Sequence, residues 1–160
     1  MVNCQFHQRL LEKLGDLFSR RILRELRIVQ STVDGQSVYR FSPYRAVETL
    51  SLEHCDNSLL DVFLPVIGSS EHVTIAMPRE YVLSLDVLEH TKTITLKEMQ
   101  IADAHSLSFG KSPHLEAMCV DGVMIDSNVI SALFDLPKLE RVVILNSTIR
   151  KVEKVRFPSS

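Results

Sequence analysis

An apolar pair spaced two residues apart recurs through this chain at a nearly constant step. The pairs are Leu26/Ile28, Leu50/Leu52, Val73/Ile75, Ile94/Leu96, Met118/Val120 and Val142/Ile144, and their first members are 24, 23, 21, 24 and 24 residues apart. Side chains two apart on a strand face the same way, so each pair marks a short strand with one buried face. One such unit cannot bury its own face, and neighbouring units must stack to do so. The period therefore predicts six parallel strands side by side, with each intervening segment returning the chain to the next strand's start. The repeat is plainest where SPHLEAMCVDGVMI (Ser112–Ile125) is echoed by LPKLERVVILNSTI (Leu136–Ile149). Leu115 then matches Leu139, and Ile125 matches Ile149.

The intervening segments suit a helical return. DSNVISALFDLP places Val129, Ile130, Leu133 and Phe134 on one stripe, with Asp126 or Ser127 as cap and Pro137 beyond the end. SLLDVFLPVIG and YVLSLDVLEH read similarly, although Pro65 predicts only a short helix in the first. ADAHSLSF is polar enough for a turn or two.

This pattern resembles the leucine-rich repeat family, whose units carry LxxLxLxxNxL or LxxLxLxxCxL every ~20–29 residues. The resemblance covers about residues 22–149. The units at 23–33, 115–125 and 139–149 fill every apolar position. The unit from Thr91 lacks only its first leucine, and those from Val47 and Ser70 have Asn57 and Glu80 at their last position. The template's Asn/Cys position holds Ser31, Cys55, Pro78, Met99, Val123 and Ser147, of which only Cys55 conforms. The resemblance implies an α/β fold: one domain over 1–160, a short solenoid of about six irregular repeats (22–149) with a parallel sheet. It implies irregular, cysteine-containing repeats of the ribonuclease-inhibitor kind.

The ends need separate treatment. Residues 3–21 carry Phe6, Leu10, Leu11, Leu14, Leu17 and Phe18 at helical spacing, followed by Ile22. An amphipathic helix over residues 1–21 would cover the open first repeat; the alternative is a helix that binds a partner or a second copy. The tail, 150–160, offers Val152, Val155 and Phe157 as a last irregular strand.

Composition narrows the function. The 160 residues are 45% apolar and 24% charged, with a formal charge of −2, which gives no general attraction to nucleic acid or acidic membranes. Basic residues gather as Arg20, Arg21, Arg24 and Arg27, and again as Arg150, Lys151, Lys154 and Arg156, without interleaved aromatics. No stretch approaches ~18 consecutive apolar residues. Arg9, Glu12, Lys13 and Asp16 interrupt the first twenty residues where a secretory segment would be apolar. Together with three widely spaced cysteines, Cys4, Cys55 and Cys119, this predicts an intracellular protein, cytoplasmic or nuclear, with free thiols.

No catalytic motif emerges among the residues. There are five glycines, no phosphate-binding loop and no nucleophile elbow. Cys4-x-x-His7 has ligand spacing but no second pair. None of the six histidines pairs with another at metal-ligand spacing; His54 and His72 would be neighbours on adjacent units, beside Glu53. The expectation is a chain without enzymatic activity, cofactor, metal or small-molecule substrate.

Leucine-rich repeat proteins generally bind other proteins with the outward face of their strands. Carried onto this chain, that face presents Arg27, Ser51, Thr74, Thr95, Cys119 and Val143 between the core pairs. Val29, Glu53, Ala76, Lys97, Asp121 and Leu145 stand beside them. The predicted partner-binding residues are Arg27, Glu53, Thr95, Lys97, Cys119, Asp121, Val143 and Leu145, with Val143 and Leu145 as apolar anchors. A narrower resemblance, in YVLSLDVLEHTKTITLKEMQIADAHSLSF followed by SPHLEAM, is to the nematode F-box-associated repeats. It lacks the tryptophan usual in that family. It implies an adaptor, the substrate-reading part of a ubiquitin ligase. A second expectation is a small structural or regulatory subunit docked through its apolar C-terminal end.

Overall fold

A computed structural model describes residues 1–20, 23–35, 41, 47–76, 88–98 and 112–150. The fold is α/β with a parallel sheet. Six five-residue strands form it: β2 (Glu25–Val29), β4 (Thr49–Glu53), β5 (His72–Ala76), β6 (Thr93–Lys97), β7 (Ala117–Asp121) and β9 (Arg141–Leu145). They lie in chain order, each parallel to the next. The register is the one the period demands: Leu26 pairs with Leu50, Leu50 with Val73, Val73 with Ile94, Ile94 with Met118 and Met118 with Val142.

The inner face of the first five strands is closed. Their core pairs, from Leu26/Ile28 to Met118/Val120, are all buried. The sixth pair departs from expectation: Val142 is half-buried and Ile144 is 38% exposed. A strand at the end of a stack has a neighbour on one side only.

The N-terminal segment also differs from its reading as one long helix. Residues 1–6 run alongside β2, with Asn3 in the left-handed region at φ 52°. The Met1 nitrogen donates to the Arg27 carbonyl, Val29 N–H to the Met1 carbonyl and Asn3 N–H to the Val29 carbonyl. β1 (Gln5–Phe6) then pairs with β3 (Thr32–Val33). Helix α1 begins at Gln8 and ends at Ser19, and His7 caps it by accepting the Leu10 N–H at 3.3 Å. Leu11, Leu14 and Phe18 are its buried stripe. Phe6 is buried as predicted, but from a strand. Phe6 and Phe41 pack on Phe63, with ring centres 6.0 and 4.9 Å from it.

Helix α2 (Asn57–Ser69) runs 13 residues straight through Pro65, correcting the short helix expected there. Proline in a helix interior costs ~3 kcal/mol or more. Leu59, Leu60, Phe63, Val66 and Ile67 are all fully buried. Each contributes on the order of 1.5–3 kcal/mol, which outweighs the proline. Asp56 caps the helix, its carboxylate accepting the Leu59 N–H at 2.8 Å.

The seats where the leucine template failed have a structural purpose. Ser70 and Thr91 occupy first-leucine positions, and both are fully buried. The Ser70 hydroxyl donates to the Val66 carbonyl at 2.6 Å and Thr91 to the Ile67 carbonyl at 3.1 Å. Helix ends leave carbonyls without intrahelical partners. These hydroxyls serve the last turn of α2.

Near the C-terminus, β8 (Met124–Asp126) pairs with β10 (Thr148–Arg150), joined by helix α3 (Ser127–Leu133) and β9. Leu133 is buried and Ile130 half-buried, as the stripe requires, but Phe134 is 79% exposed and lies beyond the helix. Ile125 is buried while its counterpart Ile149 is 51% exposed. Most of YVLSLDVLEH, all of ADAHSLSF and the tail from Lys151 lie outside the described residues, as do Pro78, Glu80 and Met99.

Candidate functional site

Strand register turns the outward residues into three rows that cross the sheet. One row runs Glu25, Thr49, His72, Thr93, Ala117 and Arg141. The middle row runs Arg27, Ser51, Thr74, Thr95, Cys119 and Val143 in the same strand order. The third runs Val29, Glu53, Ala76, Lys97, Asp121 and Leu145. Neighbouring strands lie ~4.8 Å apart, so each row is a continuous line of side chains. All eight predicted binding residues fall in the second and third rows, on one face.

The face is graded from charged to apolar. At the β2 end, the Arg27 guanidinium grips Glu53 by two bonds, of 3.3 and 2.9 Å, and the Ser51 hydroxyl donates to the same carboxylate at 3.0 Å. The Arg27 bond, helped by Ser51 and by the positive field of Arg27 and Lys97, holds the Glu53 carboxyl below its ordinary range; burial opposes this. The middle is small and hydroxyl-rich. Thr49, Ser51, Thr74, Thr93 and Thr95 are half-buried there, and His72 lies 2.8 Å from the Thr93 hydroxyl through Nδ1. Beyond them Lys97 is exposed and Asp121 accepts from the Asn146 amide at 3.2 Å. At the β9 end Cys119 and Val143 are half-buried and Leu145 is 47% exposed.

The turns after the strands are built alike. Gln30, His54, Glu98, Gly122 and Asn146 each follow a strand and each has φ between 48° and 65°. The N–H of four of them continues the ladder, to the carbonyls of Glu53, Ala76, Asp121 and Leu145. Only Gly122 and Asn146 advertise such a turn in sequence.

The next position after the turn completes it. The Ser31 hydroxyl accepts the Cys4 N–H and donates to the Val29 carbonyl; the Ser147 hydroxyl accepts the Val123 N–H and donates to the Leu145 carbonyl. The Cys55 thiol donates to the carbonyls of Ile28 and Glu53. Serine therefore does at two non-conforming positions what cysteine does at the conforming one. Burial pushes the Cys55 thiol up from its ordinary pKa, as befits a structural thiol.

The remaining sequence candidates separate. His54 and His72 do not meet: His54 Nε2 lies 3.5 Å from Glu98 and His72 turns to Thr93. His7 is occupied as the α1 cap, and Cys4 Sγ donates to the Val2 carbonyl. Arg20, Arg24 and Arg27 are each paired with a carboxylate, of Asp16, Glu48 and Glu53. Among the described residues no three His, Cys, Asp or Glu gather as a metal site. One pair is formed that short-range spacing could not reveal: His90 and His114 stack with ring centres 6.3 Å apart. Their separation of one full repeat was the available signal.

A second surface lies at the C-terminal end of the sheet. A cleft of about 450 Å³ is lined there by Ile130, Leu133, Phe134, Leu139, Val142 and Ile144, with Glu140 and Arg141 at hand. Among the described residues no helix is long and apolar enough to cross a membrane. No family model, curated protein or solved structure matches this chain.

Proposed function

We propose that the chain is a protein-interaction module without enzymatic activity: a short leucine-rich repeat solenoid that grips one protein partner with the outward face of its strands. The observation that carries this reading is the register. It sets Arg27, Glu53, Thr95, Lys97, Cys119, Asp121, Val143 and Leu145 in two adjoining rows of one face. The small hydroxyl-bearing centre lets a partner's backbone come close, and the charged and apolar ends give orientation and anchoring. An adaptor or substrate-recognition role, as in the F-box-associated repeats, is the specific form proposed.

The test is crosslinked affinity purification from cells expressing the chain, comparing wild type with a Val143→Glu/Leu145→Glu double variant of unchanged circular dichroism. A partner retained by wild type and lost by the variant supports the strand face. An unchanged partner set overturns it.

The exposed apolar end favours a second reading, a subunit docked permanently in a larger assembly. Phe134, Ile144, Leu145 and Ile149 are all exposed there. Sedimentation of the isolated chain separates the two. A free module stays monomeric, whereas a docked subunit self-associates through this end.

A further inference from the structure

We propose that His90 and His114 form a two-imidazole site for a divalent transition-metal ion of the zinc, nickel and copper class. Each histidine stands three residues before its strand, β6 or β7, and Thr93 pairs with Ala117. The parallel register therefore carries position 90 beside position 114. The Glu116 and Ala117 N–H groups both donate to the Lys92 carbonyl, at 2.8 and 3.1 Å, which pins the two strand starts together. The His90 N–H donates to the Gly68 carbonyl at 3.0 Å and the Leu115 N–H to that of Ser112 at 3.4 Å, holding the approach to each strand.

The rings are exposed and nearly parallel, with 11° between their planes and 6.3 Å between their centres. A tetrahedral zinc ion ~2.0–2.1 Å from one nitrogen of each ring would put the ring centres about 5 Å apart. Coordination requires the rings to turn out of their stacked arrangement, so that one nitrogen of each aims at a shared point, and to approach by about 1 Å; the side-chain torsions of two exposed residues supply both. Imidazole is the ligand this class of metal favours. One repeat further on, the same station holds Lys138, and one repeat back it holds buried Ser69, so the line of imidazoles is two long. Two protein ligands give modest affinity and leave coordination positions open to water or an outside donor.

Calorimetric titration of the intact chain with zinc chloride tests this against His90→Asn, His114→Asn and the double variant, each of unchanged circular dichroism. The expected result is one site, weakened about tenfold or more by either single change and lost in the double variant. Substoichiometric nickel should also broaden the imidazole signals of His90 and His114 together in NMR spectra. Absence of binding at millimolar zinc overturns the proposal. So does unchanged affinity in the single variants, which would put the metal elsewhere on the chain.

Discussion

The Thr91 hydroxyl donates to the Ile67 carbonyl at 3.1 Å, and both residues are fully buried. This one bond ties the last turn of α2 to the approach of β6. It stands at a seat where the repeat pattern asks for leucine. Thr91→Val keeps the shape and removes the donor. Chemical denaturation should show a loss of about 1 kcal/mol. Thr91→Leu, which improves the match to the template, should destabilise as well, because the added volume enters a packed site.

Burial along the sheet predicts a gradient of mutational cost. Leu96→Ala removes a fully buried side chain and should cost about 2–5 kcal/mol. Ile144→Ala, at the equivalent place in β9, removes one that is 38% exposed, and should cost less than half as much. The contrast sharpens with charge. Leu26→Asp and Leu96→Asp should unfold the chain, whereas Ile144→Asp should leave it folded. Urea midpoints of the variants measure the gradient, and equal losses at Leu96 and Ile144 would contradict it.

The left-handed turns after the strands make opposite predictions for two residues. Gly122 has φ of 65°, and a β-carbon there would meet only ordinary contacts with Glu98. Gly122→Ala therefore loses through backbone conformation alone, about 1 kcal/mol. Gln30, at φ 50°, already bears that strain. Gln30→Gly should stabilise, by roughly 0.5–1 kcal/mol. Thermal melts of both variants check the signs.

The Arg27–Glu53 pair gives the outer face a pH dependence of defined sign. The folded state holds the Glu53 carboxyl below its ordinary 4.5, first through the Arg27 bond. Its stabilising contribution is therefore complete above that value and is lost as pH falls through the lowered one. Glu53→Gln should be less stable than wild type at neutral pH, and the two should converge in acid. Melting temperatures across pH 2 to 7 would show this; a gap that widened in acid would overturn it. The size should be small, since Arg27 remains largely exposed.

How far the sequence reaches is clear from particular residues. The step from Leu26 to Leu50 to Val73 sufficed to assign strands and faces, because alternation along a strand is local and repetition makes it cumulative. Predicting the outward rows needed nothing more. The reading faltered at Pro65, where local propensity argued for a break and surrounding burial overrode it. It faltered at Ser70 and Thr91, which look like lapses in the pattern until the α2 carbonyls beside them are known. It faltered at Phe6, which helical spacing assigned to the first helix but which lies in β1, where residues 1–6 take their backbone partners from β2 and β3.

By itself, the sequence determined the period, the parallel register it implies and the division of each strand into core and outward residues. Those follow from side-chain alternation and from the need of each unit for a neighbour. Only the tertiary structure decided which end of the sheet is covered, which polar groups replace leucine or asparagine in the turns, and that His90 meets His114. Apart from the Ser70 bond to Val66, four residues back, these depend on contacts between segments some twenty or more residues apart. Local patterning specifies what a segment seeks to bury or bond, and packing decides which distant segment supplies it.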